Sequence, residues 1–99
     1  MSYEQLRTLA EAHRERVIDL CQRLVRVPSL PSHEGELAQL VQAEMERLGY
    51  DRVWRDEAGN VIGLMAGAGG GPKVQFNTHL DHVDTGDPED WPFPPHEAR

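Results

Sequence analysis

Apolar residues recur at helical spacing along the first quarter of the chain, which is the pattern of an amphipathic helix. The stripe comprises Leu6, Leu9, His13, Val17, Leu20, Cys21 and Leu24. Ser2 and Gln5 can form a capping box at the start of this helix. Pro28 would end it, because the residue before a proline disfavours helical backbone angles. The pattern therefore predicts one long helix.

A second helical pattern follows Pro31, with an apolar face formed by Leu37, Leu40, Val41, Met45 and Leu48. Ser32 is a suitable N-cap residue, and the glutamates that follow it would lie at the positive end of the helix dipole. Gly49 is predicted to end the helix, because glycine accepts the left-handed conformation that is common there.

Strand-like patterns replace the helical ones near residue 50. Residues 52–56 and 60–66 flank a turn-like sequence and predict a hairpin. Residues 73–78 predict a third strand, with Val74, Phe76 and Thr78 on one face. We therefore predict an α/β fold in which two helices lie against a small mixed sheet of mainly three strands. Residues 1–99 suffice for one small domain.

The net charge of −7, from 17 acidic and 10 basic residues, argues against nucleic-acid binding, because phosphate recognition needs clustered Lys and Arg. No apolar run approaches the ~20 residues of a membrane span, and no signal peptide is visible. We expect a soluble cytoplasmic protein that does not bind membranes. Cys21 is the only cysteine, so no internal disulfide can form, and we predict a buried, inert thiol.

The segment 84–99 is acidic and rich in proline, with four prolines and five acidic residues between positions 84 and 97. Proline lacks a backbone N–H group, so we expect no regular structure there. Two interpretations are open. The segment is either an active-site loop or a loose acidic terminus.

A histidine and an aspartate two residues apart, His79 and Asp81, follow the third predicted strand. An aspartate so placed can accept the proton of one imidazole nitrogen and leave the other nitrogen free for a metal ion. The alternative is a polar strand end that leads into an acidic loop. His82 and Asp84 add two more potential ligands, although such a density of polar residues is also ordinary for a loop.

Four short motifs occur in an order that resembles one known family. They are Leu-Val-Arg-Val-Pro-Ser at 24–29, Asp-Glu-Ala-Gly-Asn-Val-Ile-Gly at 56–63, His-Leu-Asp-His-Val at 79–83, and Gly-Asp at 86–87 with Trp-Pro-Phe at 91–93. Over residues 15–95 the chain resembles the N-terminal part of the catalytic domain of di-zinc metallopeptidases and amidohydrolases. That family includes acetylornithine deacetylase, succinyl-diaminopimelate desuccinylase, aminoacylase and glutamate carboxypeptidase.

The resemblance implies a zinc-dependent hydrolase that cleaves amide or peptide bonds of N-acyl amino acids or small peptides with metal-activated water. By motif position, His79 would be a metal ligand and Asp81 the catalytic-site residue that orients its imidazole. The motif assigns no role to His82 or Asp84. The implied cofactor is a pair of zinc ions, with cobalt or manganese as alternatives. The site would lie at the carboxyl end of a parallel strand.

In the family, the general-base glutamate and the remaining ligands follow the segment that matches residues 79–83. We therefore expect this chain to be a truncated catalytic domain that is inactive alone and that self-associates or binds a complementing chain. The partner of the complete enzyme would be a small amide or peptide substrate. The alternative hypothesis is a non-catalytic α/β fragment or interaction module, in which His79 and Asp81 are a remnant.

Overall fold

The computed structural model describes all 99 residues and contains three α-helices and one two-stranded sheet. The helices are α1 (Tyr3–Ala12), α2 (Arg14–Val25) and α3 (Gly35–Arg47), and the strands are β1 (Arg52–Arg55) and β2 (Val61–Leu64). Two 3₁₀ turns follow at Pro88–Asp90 and Pro95–Glu97. The predicted mixture of helices and strands is confirmed. None of the helices combines the length and the apolar character that a membrane span requires.

The chain divides into two compact units, one of residues 1–27 with 85–99 and one of residues 28–84. In the first unit, α1 and α2 replace the predicted single helix. The break falls at His13, whose Nδ1 lies 2.8 Å from the Leu9 carbonyl oxygen. In a continuous helix that carbonyl would accept the His13 backbone N–H, which instead bonds to the Ala10 carbonyl. The single-helix prediction is wrong because a side chain competes for a backbone acceptor.

The start of α1 follows the predicted capping box. The Ser2 hydroxyl accepts the Gln5 backbone N–H, and the Gln5 side-chain oxygen accepts the Ser2 N–H. The apolar stripe of α1 and α2 is nevertheless exposed, with Leu6 at 55% and Val17 at 62% of full exposure. Cys21 is also exposed, so the predicted buried thiol is wrong. Helical periodicity specifies a face of the helix but not the layer that covers it.

The tail is held against the end of α2 and belongs to the same unit. His96 Nδ1 lies 2.9 Å from the Val25 carbonyl oxygen, and Arg26 Nε lies 3.4 Å from the Glu97 carbonyl oxygen. The first of these contacts satisfies a carbonyl that the helix end leaves unpaired. Ala98 is buried. The tail is therefore not a loose terminus, and its two 3₁₀ turns correct the prediction that it lacks regular structure.

The second unit packs α3 against an antiparallel hairpin formed by β1 and β2. In the hairpin, Val53 pairs with Gly63 and Trp54 pairs with Ile62. Leu37 and Ala38 of α3 are the buried apolar residues of this unit. The predicted hairpin is confirmed, and its strands lie within the predicted segments.

The two ends of α3 confirm one capping prediction and correct the other. At the C-terminus, Gly49 adopts a φ of +80°, and the next N–H reaches back to the Met45 carbonyl in a Schellman motif. At the N-terminus, Ser32 has a φ of +68°, and its N–H donates to Glu34 Oε1. Ser32 therefore does not cap the helix, which begins immediately after Glu34 without a side-chain cap.

Residues 73–78 form no strand, so the predicted three-stranded mixed sheet is wrong. Val74 and Phe76 are 75% and 95% exposed. A strand needs a neighbour that satisfies its backbone N–H and C=O groups, and no segment of this chain pairs with residues 73–78. The predicted placement of the site at the carboxyl end of a parallel strand is therefore wrong as well.

Asp56 organises the turn between β1 and β2. Its Oδ1 accepts the backbone N–H groups of Ala58 and Asn60, at 3.0 and 2.9 Å. Its Oδ2 accepts the side-chain amide of Asn60 at 2.8 Å. The side-chain bond from Asn60, followed by the backbone bond from the same residue, lowers the pKa of Asp56 below its ordinary value of 3.8.

We expect the turn to loosen in acid through Asp56. A lowered folded-state pKa means that the carboxylate stabilises the turn above its ordinary pKa of 3.8, and that this contribution is lost as the pH falls through the lower folded-state value. Asp56→Asn removes the titrating charge, so the acid-dependent shift of the Asn60 amide signal in NMR spectra should disappear. Glu57→Gln removes an exposed neighbouring charge and should leave that shift intact. The same acid response in wild type and Asp56→Asn would contradict this expectation.

Candidate metal-binding segment

His79 and Asp81 form a hydrogen-bonded pair in a segment without regular secondary structure. His79 Nδ1 lies 2.8 Å from the backbone carbonyl oxygen of Asp81 and 3.1 Å from its carboxylate Oδ1. Both oxygens are acceptors, so in the neutral ring Nδ1 carries the proton and Nε2 keeps its lone pair. The His79 side chain is 80% exposed. An imidazole oriented by a carboxylate, with its other nitrogen open, is suited to binding a metal ion.

His82 follows the pair directly and faces a different partner. Its Nε2 accepts the Ser29 backbone N–H at 2.9 Å, and its own backbone N–H donates to the Ser29 carbonyl at 2.9 Å. Its Nδ1 lies 2.7 Å from the Val83 carbonyl oxygen, so Nδ1 carries the proton. Because Nε2 already accepts a hydrogen bond, His82 can bind a metal through this nitrogen only if it releases Ser29.

Ser29 is fully buried, and its hydroxyl oxygen has no hydrogen-bond partner. A buried polar group without a partner costs about 1–3 kcal/mol. Both hydrogen bonds to His82 come from the backbone of Ser29, so the hydroxyl is not needed for them.

We expect Ser29→Ala to leave the free energy of unfolding unchanged or to raise it. The substitution removes the unsatisfied hydroxyl and keeps both backbone bonds to His82. Urea unfolding of the variant and of wild type measures the difference. A loss of more than about 1 kcal/mol, the net worth of a typical hydrogen bond, would mean that the hydroxyl has a partner in solution.

The chain contains no group of three or more His, Cys, Asp or Glu side chains placed to hold a metal ion. Catalytic zinc usually takes three protein ligands and a water molecule. The residues present therefore fit one ligand position, that of His79 Nε2, and do not complete a zinc site. The structure brings His79 together with Asp81, while the ring of His82 turns to Ser29. The roles of His79 and Asp81 toward a metal stay predictions.

The contact between Ser29 and His82 was not predicted from the sequence. The two residues are separated by 53 positions and lie in segments without regular structure. Periodicity relates residues within one helix or strand, so it gives no signal for such a contact. Ser29 lies in the motif at 24–29 and His82 in the motif at 79–83. Their shared membership of the family resemblance is the one sequence feature that connects the two segments.

Comparison with known proteins gave matches along part of the chain. No family model matches it, and no solved structure matches it. It is similar to the uncharacterized protein YgeY of Escherichia coli (strain K12), with 36% identity over 76 residues. YgeY of Escherichia coli O157:H7 matches with the same identity and length. Each match covers 76% of this chain and 18% of the relative. The chain thus matches less than a fifth of the length of these relatives.

Proposed function

We propose that this chain supplies the N-terminal part of the catalytic domain of a zinc-dependent hydrolase. The substrates would be N-acyl amino acids or small peptides, cleaved at an amide or peptide bond. The observation that supports the proposal is the hydrogen-bonded pair of His79 and Asp81, which leaves His79 Nε2 open. The motif order around this pair, described above, points to the same reaction class. The cytoplasm stays the predicted compartment.

In this proposal each residue of the pair has one task. His79 Nε2 is a zinc ligand, and Asp81 fixes the tautomer and orientation of the ring. A zinc ion held there would provide an activated water molecule and polarise the carbonyl group of the substrate, and cobalt or manganese would serve the same purpose. A general base and the remaining ligands would come from further polypeptide, either as a longer chain or as a complementing one.

Two surface grooves lie along the N-terminal helices. One groove is lined by residues of the N-terminus and α1, from Met1 to Leu9, and another by residues 10 to 18. Neither groove includes His79 or Asp81. We therefore assign the substrate site to neither of these two grooves.

The alternative candidate is a non-catalytic interaction module with a remnant of the motif. It is favoured by the exposure of Val74 and Phe76, whose apolar side chains would gain by burial against another chain. Self-association or binding to a complementing chain stays a prediction, and the exposure of these two side chains supports it. Light scattering that finds a monomer at all concentrations would exclude self-association.

The reading frame downstream of Arg99 and an activity assay together test the hydrolase proposal. We expect the frame to continue into a "G-x-x-D" motif and to encode a glutamate base. The longer polypeptide should hydrolyse N-acetyl amino acids or dipeptides only with added metal, and His79→Ala should abolish this activity. The 99-residue chain alone should be inactive. Metal-independent hydrolysis, or activity that survives His79→Ala, would refute the proposal.

A further inference from the structure

The segment that carries His79 and Asp81 belongs to no helix or strand, so its geometry must be held by other contacts. We propose that His82, through its double hydrogen bond to Ser29, is a positioning residue that sets the orientation of the His79 imidazole. The consequence for metal binding rests on the proposed function. The consequence for the His79 ring does not.

A pair of hydrogen bonds joins His82 to Ser29, and we call this pair the Ser29–His82 clasp. One bond runs from the Ser29 N–H to His82 Nε2, and the other from the His82 N–H to the Ser29 carbonyl, each at 2.9 Å. The bond from Nδ1 of His82 to the Val83 carbonyl fixes the tautomer that leaves Nε2 as an acceptor. Ser29 is fully buried, so the clasp is anchored at a buried point of the chain.

The clasp and His79 share one peptide group. The N–H that donates to Ser29 belongs to the peptide unit between Asp81 and His82, and so does the carbonyl that accepts from His79 Nδ1. This unit is planar, and its N–H and C=O groups point in opposite directions. When Ser29 fixes the direction of the N–H, it also fixes the direction in which the carbonyl meets the His79 ring.

The bonds on the two sides of this peptide group reinforce one another. A peptide group that donates at its N–H becomes a better acceptor at its carbonyl, because hydrogen bonds in a chain polarise each other. The bond from His79 to Asp81 should therefore be strongest while the clasp is closed. Two acceptors of the Asp81 residue then hold the proton of His79 on Nδ1 and keep Nε2 open.

Variants at position 82 separate this role from a general structural one. In His82→Ala the side-chain acceptor for the Ser29 N–H is lost. His82→Gln places an amide oxygen near the position of Nε2 and can keep that bond. His82→Asn is shorter by one methylene and should fail to reach. His33→Ala is the matched control, because His33 is exposed and makes no side-chain hydrogen bond in this unit.

The first readout is the tautomer of neutral His79, from ¹⁵N–¹H correlations of the imidazole ring. We expect one Nδ1–H tautomer in wild type, His82→Gln and His33→Ala, and a mixture of tautomers in His82→Ala and His82→Asn. The second readout is the affinity for zinc alone, by titration calorimetry. It should fall about tenfold or more in the Ala and Asn variants, as for the loss of other groups that orient a ligand.

The outcomes distinguish the two proposals. A folded His82→Ala or His82→Asn with an unchanged His79 tautomer would overturn the positioning role. Unfolding of both variants would also overturn it, in favour of a role for the clasp in holding the whole unit. If the tautomer changes as expected and wild type binds no zinc, the positioning role stands, and the expectation that His79 binds zinc in this chain alone fails.

Discussion

Zinc should bind weakly to the purified chain, and His79→Ala should remove this binding. His79 Nε2 is the nitrogen that the structure leaves open beside an orienting carboxylate. Asp81→Ala should lower the zinc affinity about 10-fold to 100-fold without abolishing binding, because Asp81 orients the His79 ligand and is not itself a ligand. Titration calorimetry with zinc measures both effects, and circular dichroism checks that the variants are folded.

The matched controls for this experiment are His13→Ala and His33→Ala. Both residues are exposed histidines that lie outside the segment 79–84. Each control should keep most of the zinc affinity. An equal loss in all the histidine variants would mean nonspecific binding to scattered imidazoles, and the proposed metal ligand would then be wrong.

Gly63→Ala should destabilise the unit formed by α3 and the hairpin by about 1–3 kcal/mol. A Cβ atom at this position would lie 2.7 Å from Cδ2 of the Tyr50 ring and 2.8 Å from Sδ of Met45. Met45 has a flexible side chain, but the ring must also shift, because Cε2 of Tyr50 is only 2.9 Å away. The change should lower the Tm by roughly 4–8 °C for each kcal/mol in a chain of this size.

Gly67→Ala is the matched control, because a Cβ atom at Gly67 would meet no heavy atom within 4 Å. Thermal unfolding of the two variants should therefore show a loss of stability in Gly63→Ala alone. Equal melting temperatures for Gly63→Ala and wild type would mean that Tyr50 and Met45 move aside without cost.

Capping and turn chemistry could be predicted from the sequence because each signal involves residues close together along the chain. Ser2 with Gln5, Gly49, and the hairpin around Asp56 all adopt the predicted local structure. At His13 a side chain contacts the carbonyl that a continuous helix would assign to a backbone N–H, and at Ser32 the Glu34 carboxylate accepts the Ser32 N–H in place of the predicted cap. Local rules rank such alternatives poorly, because the competing bonds differ little in free energy.

The sequence by itself determined the mixture of helices and strands, the hairpin, and the placement of a histidine and a carboxylate two residues apart. Only the tertiary structure decided which apolar residues are buried, that residues 73–78 have no strand partner, and that Ser29 meets His82 across 53 positions. The physical reason is that burial and strand pairing depend on a second surface. Periodicity along one segment cannot specify that surface. The close approach of Gly63 to Tyr50 and Met45 belongs to the same class of contacts.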